Sequence, residues 1–182
     1  MEFVPTRLPG VVLITPKEFE DQRGFFMDTW HRKLFEQEGI DANFVQDSHS
    51  GSVAGTVRGL HYQIRQAQGK LIRVVRGEAF DVAVDIRKSS PDFGKWTSEV
   101  LSAANRKMIW IPPGFAHGFF VLSKTAEFEY KCTDYYAPEH ERTLLWDDPD
   151  IGIDWPLPGR EKPVLSDKDQ AGLPLKEAQV YE

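Results

Sequence analysis

The sequence predicts a mainly β protein in which short strands close into a sandwich or barrel accompanied by a few short helices. Three observations predict this. Several short runs carry the period-two apolar pattern or the β-branched and aromatic residues of strands. Gly, Pro, Ser and Asn positions separate these runs at close intervals. Prolines crowd the C-terminal third, where they exclude long regular elements.

In chain order, Val11-Val12-Leu13-Ile14 and Gly24-Phe25-Phe26-Met27 are strand-like and extend the sheet structure toward the N-terminus. Trp30 to Glu38 predicts one short helix, with Leu34 and Phe35 at helical spacing from Trp30 and Glu38, Thr29 as N-cap and Gly39 as stop. Strands are expected at Lys70 to Arg76, Trp96 to Leu101, Lys107 to Ile111, Gly118 to Leu122 and Ala126 to Thr133. Between them, Phe80, Val82, Val84 and Ile86 share one face and Asp81, Ala83 and Asp85 the other, the pattern of a half-buried strand. After Tyr136, Pro138, Pro149, Pro156, Pro158, Pro163 and Pro174 leave loops and short turns that wrap the barrel. No repeat, low-complexity tract or flexible linker divides the chain, so residues 1–182 are expected to form one domain.

A hydrophobic fraction of 41% and a charged fraction of 27% are ordinary for a soluble protein. No apolar run approaches the roughly eighteen residues needed to cross a bilayer. Met1-Glu2-Phe3-Val4-Pro5 offers no secretory signal, and the lone Cys132 fits a reducing compartment, so a cytoplasmic location is expected. The net charge of -6 argues against a general nucleic-acid binder. Arg58, Arg65, Lys70, Arg73 and Arg76 nevertheless put cations in one short span, suited either to a small anionic ligand or to a solvated strand face.

Chemistry concentrates in Arg58-Gly59-Leu60-His61-Tyr62-Gln63, in Ile111-Pro112-Pro113-Gly114-Phe115-Ala116-His117-Gly118-Phe119, and in Leu165-Ser166-Asp167-Lys168-Asp169. Pro112-x-Gly114-x-x-His117 resembles the second motif of the cupin superfamily, whose members are small jelly-roll barrels. Metal-binding cupins also carry a His-x-His pair, because imidazoles two residues apart point the same way from a strand and share a metal. Here that place reads His61-Tyr62-Gln63, so no metal or other cofactor is expected, with His31, His49 and His140 left open as ligands.

From end to end the chain resembles the dTDP-4-dehydrorhamnose 3,5-epimerase family. The resemblance rests on Asp21-Gln22-Arg23-Gly24-Phe25-Phe26, Phe44-Val45-Gln46-Asp47, Arg58 to Gln63, Gln68-Gly69-Lys70, Gly77 to Arg87, Pro113 to Phe119, Glu129-Tyr130-Lys131 and Lys168-Asp169. It implies a cupin-like jelly-roll barrel and a cofactor-independent inversion of carbons beside a ketone. Such an inversion needs a base, an acid and a partner for the enolate oxygen. His61 suits the base because an imidazole with pKa near ~6.5 accepts a proton at working pH. By resemblance Asp169 orients His61, Tyr130 returns a proton from the opposite face, and Lys70 lies near the enolate oxygen. One preorganised oxyanion donor is worth ~3 to 4 kcal/mol in other enzymes.

The resemblance further implies that Arg23, Asp28, Gln46, Asp47, Ser48, Arg58, Lys70, His117, Glu141 and Lys168 contact a dTDP-4-keto-6-deoxy sugar, and that Tyr136 stacks on its thymine. Arginine forks suit phosphate oxygens and an aromatic face suits a base. It also implies a homodimer in which an N-terminal segment reaches the neighbouring subunit, and neither nucleic acid nor membrane as a partner. Ser48 stands where the family has Asn, and Asp28 where it has Glu. These shorter side chains leave open a relative that inverts only one centre. A metal-dependent cupin enzyme and a non-catalytic sugar-nucleotide binding module are the readings from other classes. Without the resemblance, His61 and Tyr130 read as structural strand residues and Asp169 as a surface carboxylate.

Overall fold

The computed structural model describes residues 1–157 and 162–182. Pro158 lies outside the described residues. Strands are numbered in chain order. One sheet of six runs β1 (Glu2–Pro5), β2 (Val12–Thr15), β10 (Met108–Ile111), β7 (Lys70–Arg76), β12 (Thr125–Cys132), β5 (Gln46–Val53). A sheet of five runs β13 (Glu141–Thr143), β6 (Val57–Gln63), β11 (Phe115–Val121), β8 (Glu78–Asp85), β9 (Trp96–Ser102). A separate hairpin pairs β3 (Glu18–Asp21) with β4 (Gly24–Met27). Neighbouring strands within the sheets pair antiparallel, and many are distant in sequence, as in a jelly roll.

The two large sheets face each other across a core to which Ile72, Val74 and Phe128 contribute from one side and Ala79, Ala83, Phe115 and Phe119 from the other. Phe119 and Phe128 stack across the gap at 4.0 Å between ring centroids, and Tyr130 continues the stack 5.8 Å beyond Phe128. Burying one such ring contributes on the order of 2 to 3 kcal/mol. The apolar ladder therefore closes the barrel at one level and delivers a polar ring at the next.

Three expectations are corrected. The helix, α1, spans only Arg32–Gln37, and His31 rather than Thr29 occupies its N-cap, with no side-chain cap hydrogen bond. Its anchor is Phe35, buried edge-on against Phe3 at 5.1 Å, and Gly39 ends the segment at φ +78°. Tertiary packing, not capping, sets its ends. Second, β11 begins at Phe115 rather than Gly118, directly after the turn in which Gly114 takes φ +100° against the Arg87 stem. Third, β8 is not half-buried. Ala79 and Ala83 face the barrel core, whereas Val82 and Val84 pack on Ile151, Trp155, Leu175 and Val180 of the C-terminal wrap. Alternation alone does not reveal that the second face is covered by residues far later in the chain, from Ile151 onward.

Candidate active site

His61 sits on β6 directly opposite His117 of β11. Glycine makes this approach possible. A Cβ on Gly59, at φ +120°, would lie 2.5 Å from Gly118 Cα, and one on Gly118 would lie 2.7 Å from the Arg58 carbonyl. The register of the two strands shifts between His117 and Phe119. Gly59 and Gly118 thus let two strands close up where two imidazoles enter the barrel.

Asp169 meets the His61 ring from a short helix, α2 (Asp167–Gln170). Its Oδ1 lies 2.6 Å from His61 Nε2 and accepts the Gly59 amide at 3.2 Å, while Oδ2 accepts the Ser166 hydroxyl at 2.7 Å. Ser166 caps the same helix, its Oγ accepting the Asp169 amide at 3.2 Å. Burial pushes the Asp169 carboxyl up, but the donors from His61, Ser166 and Gly59 together outweigh it and hold the pKa at about 2. For His61, burial is the largest influence and lowers the pKa. The Asp169 bond pulls it back, Lys168 and Lys70 push it down again, and the result lies below 6.5. At neutral pH the ring is therefore uncharged. With Asp169 ionised, the proton resides on Nε2 and Nδ1 carries the free lone pair.

His117 forms a second pair, its Nε2 lying 2.8 Å from Asp81 Oδ2 on β8. Asp81 is fully buried, and among the described residues its Oδ1 has no hydrogen-bond partner. The His117 ring stands edge-on to Tyr130 at 6.3 Å, so the second pair spans from His61's neighbour to the phenol. Tyr130 projects inward with Phe128 and Cys132, and its hydroxyl meets Ser50 Oγ at 3.0 Å. Burial pushes the phenol well above its usual pKa. Lys70 pairs in register with Cys132 at the inner end of β7, and burial lowers its pKa while Cys132, Glu141 and Asp81 oppose the shift. Among the described residues it forms no salt bridge.

A second cluster borders this one. Tyr136 is half exposed, donates its hydroxyl to Glu141 Oε2 at 3.0 Å and its amide to Gln46 Oε1 at 2.8 Å. Glu141 Oε1 accepts Lys168 at 2.8 Å, and Gln46 Nε2 donates to Ser48 at 3.0 Å. Arg58 donates Nε to Ser52 at 2.9 Å. Asp47 behaves differently: it points to the outer face of β5 and pairs with Lys131 at 3.0 Å. Arg23 and Asp28 are also apart from the cluster. Arg23 lies on the β3–β4 hairpin, where among the described residues it pairs only with Asp21, and is 85% exposed in its side chain, and Asp28 is exposed just after β4. Among the described residues no group of three or more His, Cys, Asp and Glu side chains converges as a metal site. Sequence reasoning missed Ser50 and Ser52, and gave no role to Gly59 and Ser166 although both lie in segments it singled out. Ser166-x-x-Asp169 carried a helix-capping signal that would have pointed to the Asp169 support.

A neutral imidazole backed by a buried carboxylate, an inward phenol and a desolvated lysine share one jelly-roll barrel, a set of groups suited to inverting a carbon acid. The family model described as dTDP-4-dehydrorhamnose 3,5-epimerase matches residues 5–177, and the chain belongs to that family. It is 54% identical to the dTDP-4-dehydrorhamnose 3,5-epimerase of Pseudomonas aeruginosa over 175 residues, 96% of each chain. The Shigella flexneri enzyme of the same name is 52% identical and is covered over 99% of its length, against 100% of this chain. Among solved structures, the dTDP-6-deoxy-D-glucose-3,5-epimerase of Legionella pneumophila, in complex with dTDP-4-keto-L-rhamnose, superposes with a TM-score of 0.94 at 49% identity, covering 98% of this chain and 94% of that one.

Proposed function

We propose that the chain converts dTDP-4-dehydro-6-deoxy-D-glucose to dTDP-4-dehydro-L-rhamnose by inverting the two carbons that flank the ketone. The observation that carries this reading is the His61–Asp169 pair at 2.6 Å, with an uncharged imidazole at neutral pH. His61 Nδ1 takes the proton from the carbon beside the ketone, and the C–H electron pair becomes the enolate. Asp169 stabilises the resulting imidazolium. Lys70 offsets charge on the enolate oxygen. The phenol of Tyr130 gives its proton to the opposite face of the same carbon, forming the new C–H bond. Solvent then removes the proton from His61 and restores that of Tyr130, so the cycle consumes nothing. Repetition at the second carbon completes the double inversion.

Arg58, His117, Gln46, Ser48, Glu141 and Lys168 hold the sugar nucleotide in this reading, with Tyr136 stacking on the base. Arg23 and Asp28 act in a neighbouring subunit of a homodimer. The exposed Phe19, Phe25 and Phe26 of the hairpin, between 54% and 65% accessible, support that role, because such a patch is normally covered in a working assembly. Residues 1–182 act as one domain, and a cytoplasmic setting agrees with the single free Cys132 and with the absence of any described helix long and apolar enough to cross a membrane.

The test is proton NMR of dTDP-4-keto-6-deoxyglucose with the purified protein in deuterium oxide. Exchange and inversion at both flanking carbons are expected. Exchange at one carbon only would reduce the reading to a single-centre epimerase, and none at either would overturn it.

A further inference from the structure

On β5 the residues Gln46, Ser48, Ser50 and Ser52 share the inner face, since side chains two apart on a strand point the same way. Three consecutive inward positions are hydroxyls, and each binds a different candidate site side chain. Ser48 accepts Gln46 at 3.0 Å, Ser50 meets the Tyr130 hydroxyl at 3.0 Å, and Ser52 accepts Arg58 at 2.9 Å. Among the described residues β5 is an edge strand of its sheet and pairs only with β12, so strand pairing gives no reason for a polar inner face. An apolar alternation would seal the barrel there at lower desolvation cost.

We propose that this hydroxyl ladder positions the reacting groups, and that Ser50 is the positioning residue that governs delivery of the proton by Tyr130. The proposal rests on the epimerase reading above. Register puts Ser50 opposite Phe128 and diagonal to Tyr130, within reach of a phenol but not of its ring face. The phenol must aim its proton at carbon and afterwards carry a negative charge inside the barrel. Burial opposes that charge and the Asp81 carboxylate opposes it further, whereas Ser50 favours it through a hydrogen bond and Arg58 favours it from a distance. When Ser50 donates to the phenol oxygen, Tyr130's own hydrogen is free to point at the substrate. As the proton leaves, the same bond becomes charge-assisted and strengthens. An interaction that grows between ground state and transition state accelerates the step it serves.

The consequence is specific. Loss of Ser50 leaves proton abstraction by His61 intact, and the carbanion is then reprotonated from the His61 side. Ser50→Ala is expected to keep deuterium exchange within a few-fold of wild type while inversion falls roughly 10- to 100-fold, the range of a lost hydrogen bond to a charged group. The ratio of exchange to inversion rises accordingly. Ser50→Thr restores the ratio. Ser52→Ala, acting through Arg58, raises KM without moving it. In a Tyr130→Phe background, Ser50→Ala adds no further loss. Equal loss of exchange and inversion in a folded Ser50→Ala protein, or a full additional effect on top of Tyr130→Phe, would overturn the assignment. Wild-type protein that exchanges nothing would instead overturn the epimerase reading itself, and the two failures are told apart by the wild-type arm alone.

Discussion

Two His–Asp pairs stand side by side on paired strands, and they are built to opposite specifications. Asp169 receives three donors, from His61, Gly59 and Ser166, whereas Asp81 receives one, from His117, and leaves Oδ1 bare. Both carboxylates are almost without solvent exposure. The difference lies in what each must tolerate. A carboxylate that steadies an imidazolium through a reaction cycle needs its charge held by fixed dipoles, as Asp169 has. Asp81 keeps an uncompensated oxygen near Tyr130 and Lys70, where it opposes ionisation of the phenol and favours the ammonium. The first pair is organised to move a proton and the second to set a field.

The comparison breaks first at the imidazoles. His61→Ala is expected to lower kcat for inversion by at least about 10³-fold, and to abolish deuterium exchange at both carbons, because no other group takes the proton. His117→Ala should retain exchange, with the loss concentrated in KM. Side-by-side exchange measurements on the two folded variants decide the matter, and equal loss of exchange in both would erase the distinction between the pairs.

Asp169→Asn comes next. The amide removes the charge that favours the Nε2–H tautomer, and a loss of roughly 10²- to 10⁴-fold in kcat is expected by the logic of other His–Asp pairs. The bond to Asp169 raises the His61 pKa against burial, so its loss also moves the acid limb of kcat/KM to lower pH. A pH profile of the variant checks both parts, and an acid limb that moves upward would contradict the assigned partner.

Much of this architecture was legible in the sequence. Period two located β7 to β12 to within a few residues, and turn residues separated them, because strands of a closed barrel are punctuated locally. Two things were not legible. The second buried face of β8 depends on Trp155 and Leu175, which no local pattern connects to Val82. The inner and outer faces of β5 were equally invisible, since both are polar. Asp47 and Ser48 are adjacent and both polar, yet one pairs with Lys131 outside and the other with Gln46 inside. Likewise His61 and Asp169 lie 108 residues apart, and only the resemblance joined them before the geometry did.

Acid stability separates the pairs with a smaller effect. Asp169 has a pKa of about 2 in the fold against 3.8 as a free group, so its contribution is complete above 3.8 and disappears as pH falls through that range toward 2. His61 is lowered below 6.5, so the unfolded chain binds its proton first, and stability already declines as pH drops beneath 6.5. Thermal melts between pH 7 and 4 should therefore show a decline that begins near pH 6.5 and flattens in His61→Gln. An identical decline in that variant would assign the acid lability elsewhere.

The smallest effect sharpens the comparison from the other side. Asp81→Asn keeps an oxygen for the His117 Nε2–H and removes the charge whose second oxygen has no donor. A buried polar group without a partner costs on the order of 1 to 3 kcal/mol, and more when it is charged. Part of that cost remains, because the new NH₂ also lacks an acceptor. A net gain of about 1 kcal/mol is expected, seen as a rise of ~2 to 4 °C in Tm for a chain of this size. Activity should move the opposite way, because Lys70 loses one of the carboxylates that favour its charged form. Asp169→Asn, by contrast, breaks a fully satisfied network and should lower Tm. Opposite signs of the two Tm shifts, with activity reduced in both variants, are what a field-setting pair beside a proton-moving pair requires. Shifts of the same sign would mean that the bare oxygen of Asp81 has no energetic consequence.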